Sequence, residues 1–333
     1  PGSMNTTAFS FGPLGAKGFA FLNMLQLIGW TSIMIYDAML ALQELAPLSP
    51  MIWTIAIGAL VILWLFIGLH NTGYIQAIVS VLLLGLTLYM GAHMISQWPS
   101  EGSLLTSGNM SFIAALELSI AMPLSWLPLI SDYTRESKKP FSASLTSATV
   151  YTITSIVMYT LGLSAAIFGG GDSIITIMMN AGLGLAGLIV IIFSTVTTTF
   201  MDAYSAGVSS TTIYNGVSSK GVAVIVTIVG TIAAILYPMD DITDFLYLIG
   251  SVFAPMIAIL LADYFINRQQ VQIVSAYLIR GLIWAVSVGL YHYMLHSEST
   301  IGATLPTFTI AFVVTAIVGF ISKTAHTSSE IKP

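Results

Sequence analysis

Residues 121–140 read AMPLSWLPLISDYTRESKKP. The first half is apolar enough to lie in a bilayer, yet two prolines, a serine and a tryptophan interrupt it, and a cluster of charge ends it. Proline inside a helix removes one backbone hydrogen bond and clashes with the preceding turn. In hydrocarbon, an orphaned backbone group costs several kcal/mol. Pro123 and Pro128 therefore free backbone groups near residues 122–124 that need new partners. Neighbouring helices can satisfy a simple proline kink. Alternatively, a broken helix presents those groups to a bound ligand or ion near the bilayer midplane. This stretch alone leaves both readings open.

Composition sets the wider frame. The chain has 333 residues, of which 56% are hydrophobic and 7% charged, and its mean hydropathy is +0.92. A soluble domain carries about a quarter charged residues. The chain is therefore read as an all-α integral membrane protein. The net charge of −5 says little about partners. The absence of cysteine excludes disulfides and thiolate metal sites. No charged n-region with a short apolar core and a small-residue cleavage site is visible, so no cleaved signal peptide is expected. The opening PGSM reads as a vector scar or the edge of a fragment.

A membrane helix needs roughly 20 apolar residues. Ten runs qualify, near 18–41, 50–69, 74–95, 110–129, 143–168, 183–206, 222–237, 243–265, 277–295 and 304–321. They are continuously apolar rather than alternating, which argues against a β-barrel. Short connections predict a single polytopic domain over residues 1–333, and 169–182 could form a short helix at the outer surface. With Lys17 placed inside, all nine Lys and Arg residues fall on one side of the ten crossings. The positive-inside rule makes that side, and both termini, cytoplasmic. The expected location is the inner membrane.

Polar residues within the spans are the candidates for function. Ser194, Thr197 and Thr198 recur at i, i+3 and i+4, so their hydroxyls share a face. Hard oxygens suit sodium, although such hydroxyls often bond back to their own helix. Asp202 lies one turn beyond Thr198, and a carboxylate within a span usually faces a cavity or a partner. Gln26 and Trp30 are four apart, so an amide and a flat ring share one face and could together hold a planar heterocycle. Asp37 and Glu117 read as buried carboxylates that could line a vestibule, pair with a polar neighbour or carry a proton. Asp263 reads as interfacial, and Asp132 with Arg135 as an anchoring ion pair. No phosphate loop, nucleophile motif or metal-ligand spacing appears, so an enzyme is not expected.

Three stretches, LNMLQLIGWT at 22–31, MPLSWLPLISDYTRE at 122–136 and TTTFMDAYSAG at 197–207, resemble the nucleobase:cation symporter-1 family. The likeness is strongest to its hydroxymethylpyrimidine (thiamine precursor) transporters. The resemblance implies a LeuT-like fold of two inverted five-helix repeats followed by two helices, apparently lacking its first two helices here. It implies that Trp30 stacks on the substrate ring, that Pro123, Leu124, Ser125 and Trp126 complete the pocket, and that Asp202 meets the substrate. It also implies sodium ligation by Thr197 and Thr198, with Ser194 one turn earlier. The expectation is a symporter importing a pyrimidine-like compound, driven by sodium or protons. No cofactor is expected beyond sodium as coupling ion, and the partners are that substrate and membrane lipid, not nucleic acid. The alternatives are a transporter of another solute, such as an amino acid, on the same fold, or a truncated remnant that does not transport.

Overall fold

The computed structural model describes residues 2–45, 48–67, 69–96, 111–134, 137–168, 184–268, 274–297 and 301–330. The expected surface helix at 169–182 lies outside them, as does Arg135. After a short 3-10 turn at Ser3–Thr7 come α1 (Ala8–Leu45), α2 (Pro50–Ile67), α3 (Leu69–Ser96), α4 (Phe112–Thr134) and α5 (Pro140–Phe168). Then follow α6 (Gly184–Ile213), α7 (Ser219–Leu236), α8 (Ile242–Leu261) with a π-helical extension at Ala262–Asn267, α9 (Val274–His296) and α10 (Thr304–Glu330). Among the described residues, ten helices are long and apolar enough to cross a membrane. Helix is what lipid demands, because every backbone group must find its partner within the segment.

Two helix pairs form the central body. α1 packs on α2, α6 and α7, and α6 packs in turn on α2 and α7. This reciprocal contact is the arrangement that inverted repeats produce. Leu27, Trp64, Leu129, Phe200 and Val226 bring five helices into one core cluster. A second cluster joins α1 to α8 through residues such as Phe19, Trp30, Ile249 and Phe253. α5 stands at the periphery, touching α3 and α4, and turns Leu145, Ile153 and Ile156 outward. Such an apolar exterior suits lipid, where a soluble protein would aggregate.

Several elements differ from the sequence expectation. α1 begins ten residues early, because residues 3–11 are helical and the backbone leaves the helical region at Gly12 (φ 68°, ψ 180°), just before Pro13. The early segment docks on α4: the Ser3 N–H donates to Asp132 Oδ1 at 2.6 Å, and the Ser3 and Ser131 hydroxyls lie 2.5 Å apart. Asp132 thus receives the N-terminus of the first helical turn.

α4 is not broken. It runs unbroken from Phe112 to Thr134 with both prolines inside it. The Ser125 hydroxyl bonds to the Met122 carbonyl at 2.7 Å, and the Ser125 carbonyl accepts from Gln26 of α1 at 3.1 Å. These bonds engage the Met122 and Ser125 carbonyls, and the second ties α4 to α1.

Asp263 is not interfacial. It is fully buried and holds Arg280 through two hydrogen bonds, at 3.0 and 3.3 Å, while Asn267 donates to it at 2.7 Å. Arg280 lies in the run expected over 277–295. It sits within α9 and is buried. Asp37, read as buried, is exposed on α1. Glu117 has a polar neighbour: its carboxylate receives the Ala303 and Thr304 N–H groups at 2.9–3.0 Å and the Thr304 hydroxyl at 2.5 Å. It caps α10 from across the fold. The approach requires glycine at position 302, where φ is +76° and a Cβ would strike the Glu117 side chain.

Candidate functional site

Three helices each turn one stripe toward a common point. α1 supplies Trp30 and Met34, one turn apart. α4 supplies Met122, Ser125, Trp126 and Leu129, at i, i+3, i+4 and i+7. α6 supplies Thr198 and Asp202, again one turn apart. Helical periodicity dictates these sets, since positions three and four apart share a face. Together they line a cavity of about 110 Å³. Its lining is mostly apolar and aromatic, with polar side chains only from Ser125, Thr198, Asp202 and the indoles.

The polar groups are nearly dry. Ser125 is 2% exposed and Asp202 6% exposed. No described residue hydrogen-bonds to the Asp202 carboxyl group. The Thr198 hydroxyl donates to the Ser194 carbonyl at 2.8 Å, and that of Thr197 to the same oxygen at 3.0 Å. Both hydroxyls thus bond back to their own helix, which leaves their oxygen lone pairs open.

Trp30 is held from behind. The ring of Phe245, on α8, meets it edge-to-face with centroids 5.4 Å apart. Gly29 allows this approach, because a Cβ there would lie 2.5 Å from the tip of the Phe245 ring.

Five of the ten candidate residues from the sequence meet at this cavity. Trp30, Ser125, Trp126, Thr198 and Asp202 line the one cavity, and Gln26 does not. Its amide donates to Asn23 Oδ1 at 2.7 Å and to the Ser125 carbonyl at 3.1 Å, and Asn23 in turn donates to Ser209 at 2.8 Å. Gln26 ties α1 to α4, and it borders a separate apolar cavity of about 120 Å³ beside Phe245 and Ile249. Pro123 and Leu124 point away from the cavity stripe of α4 because they fall between its i, i+3 and i+4 positions. Thr197 and Ser194 lie on α6 beside the cavity's Thr198 but do not line it. Met34, Met122, Leu129 and Phe245 were missed. In an apolar helix only the phase relative to a known site residue marks them.

Ten helices long and apolar enough to cross a membrane among the described residues, three of them lining a partly polar cavity, define a multi-pass integral membrane protein. A family described as "Permease for cytosine/purines, uracil, thiamine, allantoin" matches residues 7–331. The chain belongs to that family. Among curated proteins it is similar to the cytosine permease of Escherichia coli (strain K12) and to that of Escherichia coli O157:H7. Each is 25% identical over 185 residues, which cover 54% of this chain and 44% of the permease. The matched stretch spans under half the length of these relatives.

Proposed function

We propose that the chain serves a secondary symporter that moves a pyrimidine-like compound, hydroxymethylpyrimidine or a related nucleobase, with sodium or a proton. The observation that carries this reading is the convergence of Trp30, Trp126, Ser125, Thr198 and Asp202 on one small cavity. Indole faces stack on flat rings, and a few placed polar groups fix a ring's orientation. The volume, about 110 Å³, is well below the ~300–1,000 Å³ of sites for drug-sized ligands and suits a single small ring. Gln26 acts in this reading by fixing the Ser125 segment rather than by touching the ring. The free lone pairs of Thr197 and Thr198, with Ser194 beside them, are hard oxygens available to sodium.

The site's place between helices α1, α4 and α6 supports alternating access, in which one helix bundle rocks against another to admit the substrate. The sequence count of Lys and Arg over ten crossings puts them on one side, which supports cytoplasmic termini in the inner membrane.

The test is tryptophan fluorescence of the purified chain titrated with hydroxymethylpyrimidine, with and without sodium. Saturable quenching is expected, tightened by sodium if sodium is the coupling ion. Trp30→Ala should weaken binding at least tenfold. Unchanged binding in that variant would remove Trp30 from the site, and no saturable response to any nucleobase would overturn the reading.

A further inference from the structure

We infer that a groove between α1 and α9 holds one acyl chain of an anionic phospholipid, with the headgroup beside Lys17. The inference stands apart from the nucleobase reading and needs only the membrane setting. The groove measures about 660 Å³, about six times the cavity between α1, α4 and α6. Leu14, Phe19, Leu278 and Trp284 stand along it, and Gly15, Gly18 and Gly281 add lining without side chains. No atom lies within 4 Å of where a Cβ would stand at Gly18 or Gly281, so both face open space. The Trp284 N–H is spent on the Val252 carbonyl at 2.9 Å. What the groove offers is almost wholly apolar contact, which suits an alkyl chain and not a polar solute.

Length argues for a lipid chain rather than a helix of a second copy. On α9 the lining runs over residues 274–284, which is about 15 Å at the helical rise of about 1.5 Å per residue. That is half of the roughly 30 Å hydrocarbon core, the depth of one leaflet. On α1 the lining runs over residues 11–22. As the first and ninth crossings, α1 and α9 start on the same side, so both walls belong to one leaflet.

Lys17 supplies the charge. It is exposed and lies three positions from Leu14, so the two share a face at the lip of the groove. Among the described residues none hydrogen-bonds to its ammonium group or pairs with its charge. A lysine at the end of a span keeps its stem on apolar surface and its charge in the headgroup layer. Basic groups between membrane helices bind anionic headgroups there. An unpaired cation beside an apolar groove one leaflet deep is complementary to a lipid with a long chain and a net negative charge. A zwitterionic lipid offers the same chain without the charge.

The experiment uses Trp284 as its reporter. The purified full chain in detergent is titrated with phosphatidylglycerol brominated on its acyl chains, and separately with phosphatidylcholine brominated likewise, since bromine quenches a nearby indole. Saturable quenching is expected with both, and phosphatidylglycerol should reach half-saturation at a concentration about fivefold lower, the effect of one basic group at an anionic surface. Trp284→Phe should remove the saturable component, which locates it at the groove. Lys17→Gln should bring the two lipids within about twofold of each other. Gly281→Leu fills the groove and should abolish the saturable component for both lipids. Thermal melting of each variant checks folding, and Lys17→Gln, an exposed position, keeps the test open should a groove variant not fold. Equal half-saturation by the two lipids in the wild type overturns the anionic assignment. Absence of a saturable component, or its survival in Trp284→Phe, overturns the groove as a lipid site. A dimer in light scattering that Gly281→Leu dissociates overturns it in favour of a second copy.

Discussion

A carboxylate inside a membrane needs donors, and Glu117 finds them on a helix 187 positions away, at the N-terminus of α10. The first N–H groups of any helix lack internal partners and carry partial positive charge, so an acidic group there is doubly favourable. Glu117→Ala should therefore cost about 2–3 kcal/mol, the scale of hydrogen bonds to a charged group. The expected result is a lower thermal midpoint in detergent, with Glu117→Gln falling between. An unchanged midpoint would show that the cap contributes nothing. Local spacing could not have revealed this partnership. By contrast, the Thr198–Asp202 pair was legible, because both residues lie on one helix and its periodicity alone gives them one face.

At the scale of elements, the α8–α9 junction is organised by the Asp263–Arg280 pair. The π-helical turn after α8 ends at Arg268 in the left-handed region (φ 50°), whose N–H bonds to the Asp263 carbonyl at 2.8 Å. Asn267 extends the network to the Thr315 carbonyl of α10 at 3.2 Å. Removing one member of a buried pair leaves an uncompensated charge, which costs about 3–5 kcal/mol. Arg280→Met should thus reduce folded yield and thermal midpoint sharply, while the double variant Asp263→Leu/Arg280→Met should recover most of the loss. Failure of the double variant to improve on the single one would count against the pair as the cause. The charge count over the sequence put Arg280 on the inner side but could not pair it with Asp263, because counting ignores which charges meet. Similarly, the prolines of α4 predicted a break, yet the helix continues through both of them.

For the whole molecule, the N-terminal turn joins three helices. It packs on α1, α4 and α6, the same three helices that wall the cavity. The chain has no cysteine, so Ser3→Cys with Ser131→Cys gives a clean probe. Their hydroxyls are 2.5 Å apart, which brings the two β-carbons within the range a disulfide needs. Oxidation should abolish labelling by a maleimide, and reductant should restore it. Two thiols that stay reactive after oxidation would show that the segment does not dock there.

The sequence by itself determined the membrane setting and the ten helices, which follow from apolar run length, a local property of the chain. Helical period gave faces such as Thr198 with Asp202, while Ser125 and Trp126 were named by resemblance to a family. Tertiary structure decided which polar residues meet. It drew Gln26 to a backbone carbonyl, Glu117 to a helix terminus and Asp263 to Arg280, because a buried polar group takes whichever partner the packing brings within 3 Å or so. That choice depends on helix contacts between distant segments, which no local period encodes.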